Sequence, residues 1–210
     1  MNYYITTVIE DYTPDMDQML FYLPLAGSTF KKVYYDETLG RAVSKFIPAE
    51  QLVVPYETSD LDSCPNITQV IRMSLNDLRK KQVSGFYLDL PVIPAQEELN
   101  SVDDEINRID GLSPSQVDYD CTILECHVDL DLEGYEDVDD DGEPTGIKVP
   151  YVVTISQDNG QILAIRRNYN EDDELKRKIQ YFVHFKFLPG FGFYGLGLIH
   201  TIGGLSRTAT

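Results

Sequence analysis

Three glycines sit at a spacing that can hold a phosphate. Gly190, Gly192 and Gly195, in the stretch PGFGFYG, follow an apolar run and satisfy G-x-G-x-x-G. In a dinucleotide-binding loop such glycines make a tight turn, admit the pyrophosphate to the backbone and open a helix whose N-terminus faces the charge. That chemistry needs a parallel strand before the loop and an acid about 20 residues later. Here Pro189 precedes the first glycine, and Phe191, Phe193 and Tyr194 crowd the place where a ligand would meet the backbone. No acid stands between Leu196 and Thr210. The surrounding elements read as antiparallel. The stretch is expected to be a glycine-bent, aromatic-packed corner between a strand and a helix. A dinucleotide-binding enzyme built on Gly190, Gly192 and Gly195 is one alternative, and it requires a parallel strand before Pro189.

A second pattern, Asp137-Val-Asp139-Asp-Asp141-Gly142, matches the first half of an EF-hand loop. Calcium there needs alternate oxygen ligands and a bidentate carboxylate at position twelve. Position twelve is Lys148, whose ammonium repels the ion, and the flanks read as strands. The clustered acids are expected to form a solvated loop with adventitious cation binding; a divalent-cation-binding β module using Asp137, Asp139 and Asp141 is the other alternative. Cys121, Cys126 and His127 lie close in sequence, with His184 and His200 far off. Strand alternation puts the two cysteines on opposite faces, whereas a tetrahedral zinc site needs converging ligands. They read as two small core or half-buried residues and an exposed imidazole. No acid, base and nucleophile converge, so no catalytic, cofactor-binding or metal-ligating residue is assigned and no cofactor is expected.

The elements that would position these residues have to be built from an acidic chain. Its 210 residues are 42% hydrophobic, enough for a core in one or two domains. There are 35 acids against 17 bases, net −18. The excess is local: Glu97 to Glu143 holds 18 Asp or Glu against one base, Arg108. Such a block repels phosphate and should not grip nucleic acid. Three cysteines argue for a reducing compartment and against a disulfide framework. No apolar run reaches membrane-spanning length, so no membrane partner is expected, and MNYYITTVIEDY does not read as a signal peptide.

Thr13-Pro14-Asp15 reads as a helix start, with Met16, Met19, Leu20 and Leu23 on one face, Pro24 kinking or ending the helix and Gly27 stopping it. Phe30–Tyr35 and Arg41–Ile47 read as a hairpin around Asp36–Gly40. Gln51–Tyr56 and Ile67–Met73 follow as strands, and Ser74 with Asp77 opens a short helix closed by Gly85. Residues 1–92 form an α+β domain on this reading. Pro91 and Pro94 mark a boundary before a polar helix over Gln96–Ile109. Tyr119–Leu132, the hairpin of Val149–Ser156 and Gln161–Asn168 turning at Asn159-Gly160, and Tyr181–Leu188 then make an antiparallel β-rich region. Asn170–Lys178 is a charged helix or loop, and a helix runs from Leu196 to Thr210. The fold class is α+β.

Four stretches carry a further signal: MLFYLPLAGSTFKKVYYDETLGRAVSKFIPAEQLVVPY at Met19–Tyr56, ITQVIRMSLNDLRKKQVSGFY at Ile67–Tyr87, ECHVDLDLEGYEDVDDDGEPTGIKVPYVVTI at Glu125–Ile155 and YFVHFKFLPGFGFYGLGLIHTIGGLSRTAT at Tyr181–Thr210. They resemble the portal (head-to-tail connector) proteins of tailed bacteriophages, in particular a group common in short-tailed phages. They cover over half the chain in the family's order. The resemblance implies a wing-like α+β domain at 1–92, a helical linker or stem approach at 93–117, a β-rich clip-like region at 118–190 and the start of a stem helix at 191–210. It also implies a non-enzymatic structural role at the capsid vertex of a virion, after assembly in the host cytoplasm. The implied partners are eleven further copies in a dodecameric ring, the terminase large subunit, tail adaptor, scaffold and capsid proteins, and double-stranded DNA passing non-specifically through the channel. The long C-terminal helices of the family lie outside this sequence, so it is expected to be a fragment of the larger protein.

Overall fold

The hairpin at residues 28–48 organises the first half of the fold. In the computed structural model, which describes residues 3–36, 39–91, 105, 108–109, 121–138 and 143–209, strand β1 (Ser28–Asp36) pairs antiparallel with β2 (Arg41–Pro48), Phe30 opposite Ile47 and Tyr35 opposite Ala42. A short strand β3 (Leu52–Val53) follows a single 3₁₀ turn at Ala49–Gln51. The chain folds as α+β, in two compact units: Met1–Ile67 with Asn170–Thr210, and Thr68–Tyr169.

The first unit is discontinuous because a late strand returns to the hairpin. This strand, named β8 (Phe182–Lys186) for its place in the chain, pairs antiparallel with β1, giving the order β2-β1-β8. Residues 182–186 therefore belong with the hairpin and not with the strand expected from 119. The linear partition at 92, 117 and 190 differs from these units because turn and proline signals are local, whereas the β1–β8 pairing closes a long loop. Cross-strand neighbours share a face, so Phe30, Ile47 and His184 point one way, into a core with Leu52, Leu61, Cys64, Ile67, Phe182 and Phe193. Thr29, Lys31 and Phe46 point the other way, toward helix α1 (Tyr12–Ala26).

Helix α1 departs from its expected details. Thr13 lies inside it; Asp11 precedes it without a side-chain cap and instead meets Arg41, Nη2 to Oδ2 3.0 Å. Pro24 sits within the last turn, and the helix runs on to Ala26 because a proline there forfeits only one late amide bond. Gly27 ends it at φ +84°, donating its N–H to the Leu23 carbonyl. On the expected stripe Met19 is buried, whereas Leu20 is 52% exposed. Helix α3 (Leu198–Ala209) closes the unit.

The second unit is a sheet in the order β4-β5-β6-β7, made of β4 (Ile67–Met73), β5 (Cys121–Leu130), β6 (Val149–Ser156) and β7 (Ile162–Arg167). β5, β6 and β7 pair antiparallel, with a register shift at Thr154/Ile155. Gly160 supplies the positive φ of the Asn159-Gly160 turn. One sheet face packs Cys121, Ile123 and Leu163 with Leu78 and Tyr87; the other gathers Val149, Tyr151 and Val153. Helix α2 (Leu75–Val83) opens on Ser74, whose Oγ accepts the Asp77 N–H at 3.1 Å, as the capping pattern predicts.

Residues 86–91 then run along the outer edge of β7. The Leu88 N–H donates to the Leu163 carbonyl at 2.8 Å, and Gln82 Nε2 donates to the Leu88 and Leu90 carbonyls at 3.3 and 2.8 Å. A bare sheet edge invites pairing with another chain, and this strap covers it. Of Gln51–Tyr56 only Leu52–Val53 is strand, and Asn170–Lys178 is a loop tied by Asp173, which accepts from the Leu175 and Arg177 amides. The polar helix expected at Gln96–Ile109 lies mostly outside the described residues; Glu105, Arg108 and Ile109 are helical.

Candidate functional site

The glycine motif folds as a pinched corner. Leu188 and Leu196 exchange backbone hydrogen bonds at 3.3 and 2.8 Å, closing the loop that carries Gly190, Gly192 and Gly195. Gly190 packs on its own loop: a Cβ there would lie 2.3 Å from the Tyr194 carbonyl oxygen. At Gly195 a Cβ would lie 2.5 Å from the Gly27 oxygen, and at Gly197 2.2 Å from the Leu25 oxygen. These glycines admit the end of α1, not a ligand. Gly192, at the place where a dinucleotide loop meets its pyrophosphate, faces open space. β8 is antiparallel to β1, and the helix begins three residues after Gly195, at Leu198. This is not the geometry a pyrophosphate needs.

Aromatic packing fixes the corner to the sheet. The Phe193 ring stacks on Phe30 at 5.8 Å between centroids with an interplanar angle of 15°, and His184 lies 4.7 Å from Phe193. Ser28 joins three segments: its Oγ accepts the Gly195 N–H at 2.7 Å and meets His184 Nε2 at 3.0 Å. Burial, helped by the nearby Lys186 charge, pushes His184 down to about 4, so its imidazole is neutral at pH 7. A serine–histidine pair invites a nucleophile reading. Ser28 is 1% exposed, and among the described residues no carboxylate meets His184 to orient it. The pair acts as a buried tie between β1, β8 and the corner. His200 starts α3, its Nδ1 accepting the Gly197 N–H at 3.0 Å.

The cysteine and histidine cluster on β5 spreads over both sheet faces. Cys121 is buried and its thiol donates to the Met73 carbonyl at 3.3 Å; Cys126 is half-buried on the opposite face. His127 corrects the expectation of an exposed imidazole: it is 3% exposed. It shares the inward face with Cys121 and Ile123, and Glu125 Oε1 stands 2.8 Å from its Nε2, so the ring is buried with a partner. Alternation alone showed the face but not which face the second layer covers. Among the described residues no group of three or more His, Cys, Asp or Glu gathers as a metal site.

In the acidic connection, Thr145 Oγ1 donates to Asp137 Oδ2 at 2.7 Å, and Val138 bridges Pro144. The Asp137 carboxylate is thus engaged by a hydroxyl of its own loop. Asp139, Asp141 and Gly142 lie outside the described residues. Glu136 is held below the usual carboxylate range by backbone N–H groups of Gly134 and its own residue.

Two features escaped the sequence. Lys31 is buried within β1, its Nζ 2.7 Å from Asp15 Oδ2 and 4.8 Å from the Tyr12 ring, while Asp15 Oδ1 accepts the Phe46 N–H at 2.6 Å. An inward lysine in TFKKVYY was the available signal; its partner on α1 was not legible. The other is a shallow open groove of about 520 Å³ between α2 and the strap, lined by Leu78, Gln82, Leu90 and Pro91 with the Arg79–Asp89 ion pair at its side. The polar atoms of Gln82 are already engaged there. Among the described residues no helix is long and apolar enough to cross a membrane. No protein-family model matches the chain, and no curated protein matches it.

Proposed function

We propose that this chain is a structural, non-enzymatic segment of a bacteriophage portal protein, part of the wall of a capsid-vertex channel for DNA packaging and ejection. One observation carries the reading: four long stretches, Met19–Tyr56, Ile67–Tyr87, Glu125–Ile155 and Tyr181–Thr210, resemble that family in its own order. The way the residues are used is compatible with a wall. The glycines pack backbone against backbone, the Ser28–His184 pair ties strands, and Lys31 and Asp15 staple a helix to a sheet.

Charge supports the role on physical grounds. A channel that moves a polyanion must not hold it, since each phosphate contact that releases counterions acts as a brake. Net −18 on the subunit keeps a passing duplex loose. On this proposal the partners are further copies in a dodecameric ring, the terminase large subunit, and tail adaptor, scaffold and capsid proteins, first in the host cytoplasm and then in the virion. The test is electron microscopy of the polypeptide as its gene encodes it. Rings with an axial channel support the reading. Discrete monomers that bind a nucleotide tightly overturn it.

A further inference from the structure

Among the described residues Arg166 is a cation without a carboxylate. Its guanidinium lies over the Phe86 ring, 3.5 Å from the centroid, and Nη2 donates to the Phe86 carbonyl. Among the described residues no Asp or Glu meets it, so most of its five donors have no protein acceptor. Lys81 Nζ stands 5.4 Å from the same ring and 5.3 Å from the Tyr87 ring. Phe86 itself is 47% exposed. The patch lies in the basic part of the chain: residues 68–91 and β7 hold six Lys or Arg and two acids, Asp77 and Asp89. Both acids are engaged, by Lys80 and Arg79.

The same unit carries the opposite charge on its β5–β6 connection. From Asp129 to Glu143 the sequence has no base, and Asp129, Asp131, Glu133 and Glu143 are exposed. We propose that the Arg166–Phe86 patch of one copy receives the exposed carboxylates Asp129, Asp131 and Glu133 at the end of β5 of a second copy, so that copies join through unlike surfaces. A planar guanidinium stacked on an aromatic ring is pre-organised for bidentate pairing with a carboxylate. Every copy supplies one patch and one connection, so the stoichiometry is self-matching. A duplex is the poorer fit: its phosphates extend beyond the patch onto the acidic surface of a −18 chain, where they are repelled. Screening confines the attraction to about 8 Å at physiological salt, the scale of a local loop-in-patch contact. The setting rests on the portal reading, since a heterologous contact gives a ring where its rotation closes. The contact can nevertheless be measured on this chain alone.

Sedimentation velocity at about 50 mM and about 500 mM salt is the experiment. The chain should self-associate at low salt and dissociate at high salt. Arg166→Glu should weaken association at least about tenfold, as should Asp129→Lys with Asp131→Lys. Mixing the two variants should restore a one-to-one complex, an outcome a folding defect does not mimic. Arg166→Gln, which keeps a planar donor for the Phe86 carbonyl, should weaken association without unfolding the strap and decides the matter if Arg166→Glu fails to fold. The proposal is overturned by a wild-type chain that stays monomeric at low salt, by Arg166→Gln associating as wild type, or by defective variants that do not rescue each other. It is also overturned if Arg166→Gln abolishes binding of a labelled DNA duplex and leaves association intact. Rings in the gene product that persist with Arg166→Gln remove this contact and leave the portal reading; charge-swap rescue without rings does the reverse.

Discussion

Gly27 and Gly197 meet backbone to backbone: a Cβ on Gly27 would lie 2.4 Å from the Gly197 nitrogen, and one on Gly197 would lie 2.6 Å from the Gly27 nitrogen. Gly27 also holds φ +84°, where side chains are strained. No flexible side chain can move aside at this crossing. Gly27→Ala should therefore cost about 3 kcal/mol or more, from strain and collision together. Gly195→Ala should be comparably disruptive, since its Cβ would meet the Gly27 oxygen at 2.5 Å. Gly192→Ala, in open space, should stay within about 0.5 kcal/mol. Urea unfolding followed by circular dichroism reads all three, as the chain has no tryptophan to report. Stable Gly27→Ala protein, or a Gly192→Ala variant as damaged as Gly195→Ala, would refute the packed-corner assignment.

How much of this fold is legible before folding follows the range of the interactions. The β1–β2 hairpin, the Ser74 cap and the Asn159-Gly160 turn are local, and each was legible because its residues lie within a few positions of one another. β8 was readable as a strand, but its partner was not, since Phe30 and His184 meet across most of the chain. The same limit hid Asp15 behind Lys31 and placed His127 outside when it is inside. The glycine corner was legible as a corner from Pro189 and the crowding aromatics. That its glycines serve α1 was not, because Gly27 carries no mark of its partner in sequence.

Buried Lys31 and half-buried Asp15 form an ion pair whose members also hold other groups. Removing the lysine leaves the half-buried carboxylate beside the Phe46 N–H without its counter-charge. Lys31→Met should destabilise by about 3 kcal/mol. Lys31→Met with Asp15→Asn should recover part of the loss, because an amide oxygen still accepts from Phe46 and no charge remains buried. A double-mutant cycle by urea unfolding measures the coupling. Strictly additive single-mutant costs would show that the two residues stabilise the fold independently.

The acidic connection bears on the cation-binding alternative. Thr145 already donates to Asp137 Oδ2 at 2.7 Å, and Lys148 stands where a bidentate carboxylate is needed. Calorimetry with calcium to about 1 mM should give no saturable heat, in the chain and in an Asp139→Asn variant alike. A saturable isotherm that Asp139→Asn removes would establish a cation site and reverse this expectation.

His184 sets a pH dependence whose sign can be worked out. Its folded value is about 4 against an ordinary 6.5, because burial and then Lys186 disfavour the imidazolium. The unfolded chain therefore takes up this proton first as pH falls. The stabilising contribution of the neutral ring is fully present above pH 6.5, declines as pH drops, and is gone below about 4. Protonation also places a charge on the half-buried ring that meets Ser28, loosening the tie between β1 and β8. His184→Phe keeps a ring against Phe30 and Phe193 and cannot titrate. Urea midpoints measured from pH 7.5 to 5, above the range where most carboxylates titrate, should fall for the wild type and fall less for His184→Phe. Parallel pH profiles would mean that His184 is protonated equally in both states, and the buried Ser28–His184 tie would have to be abandoned.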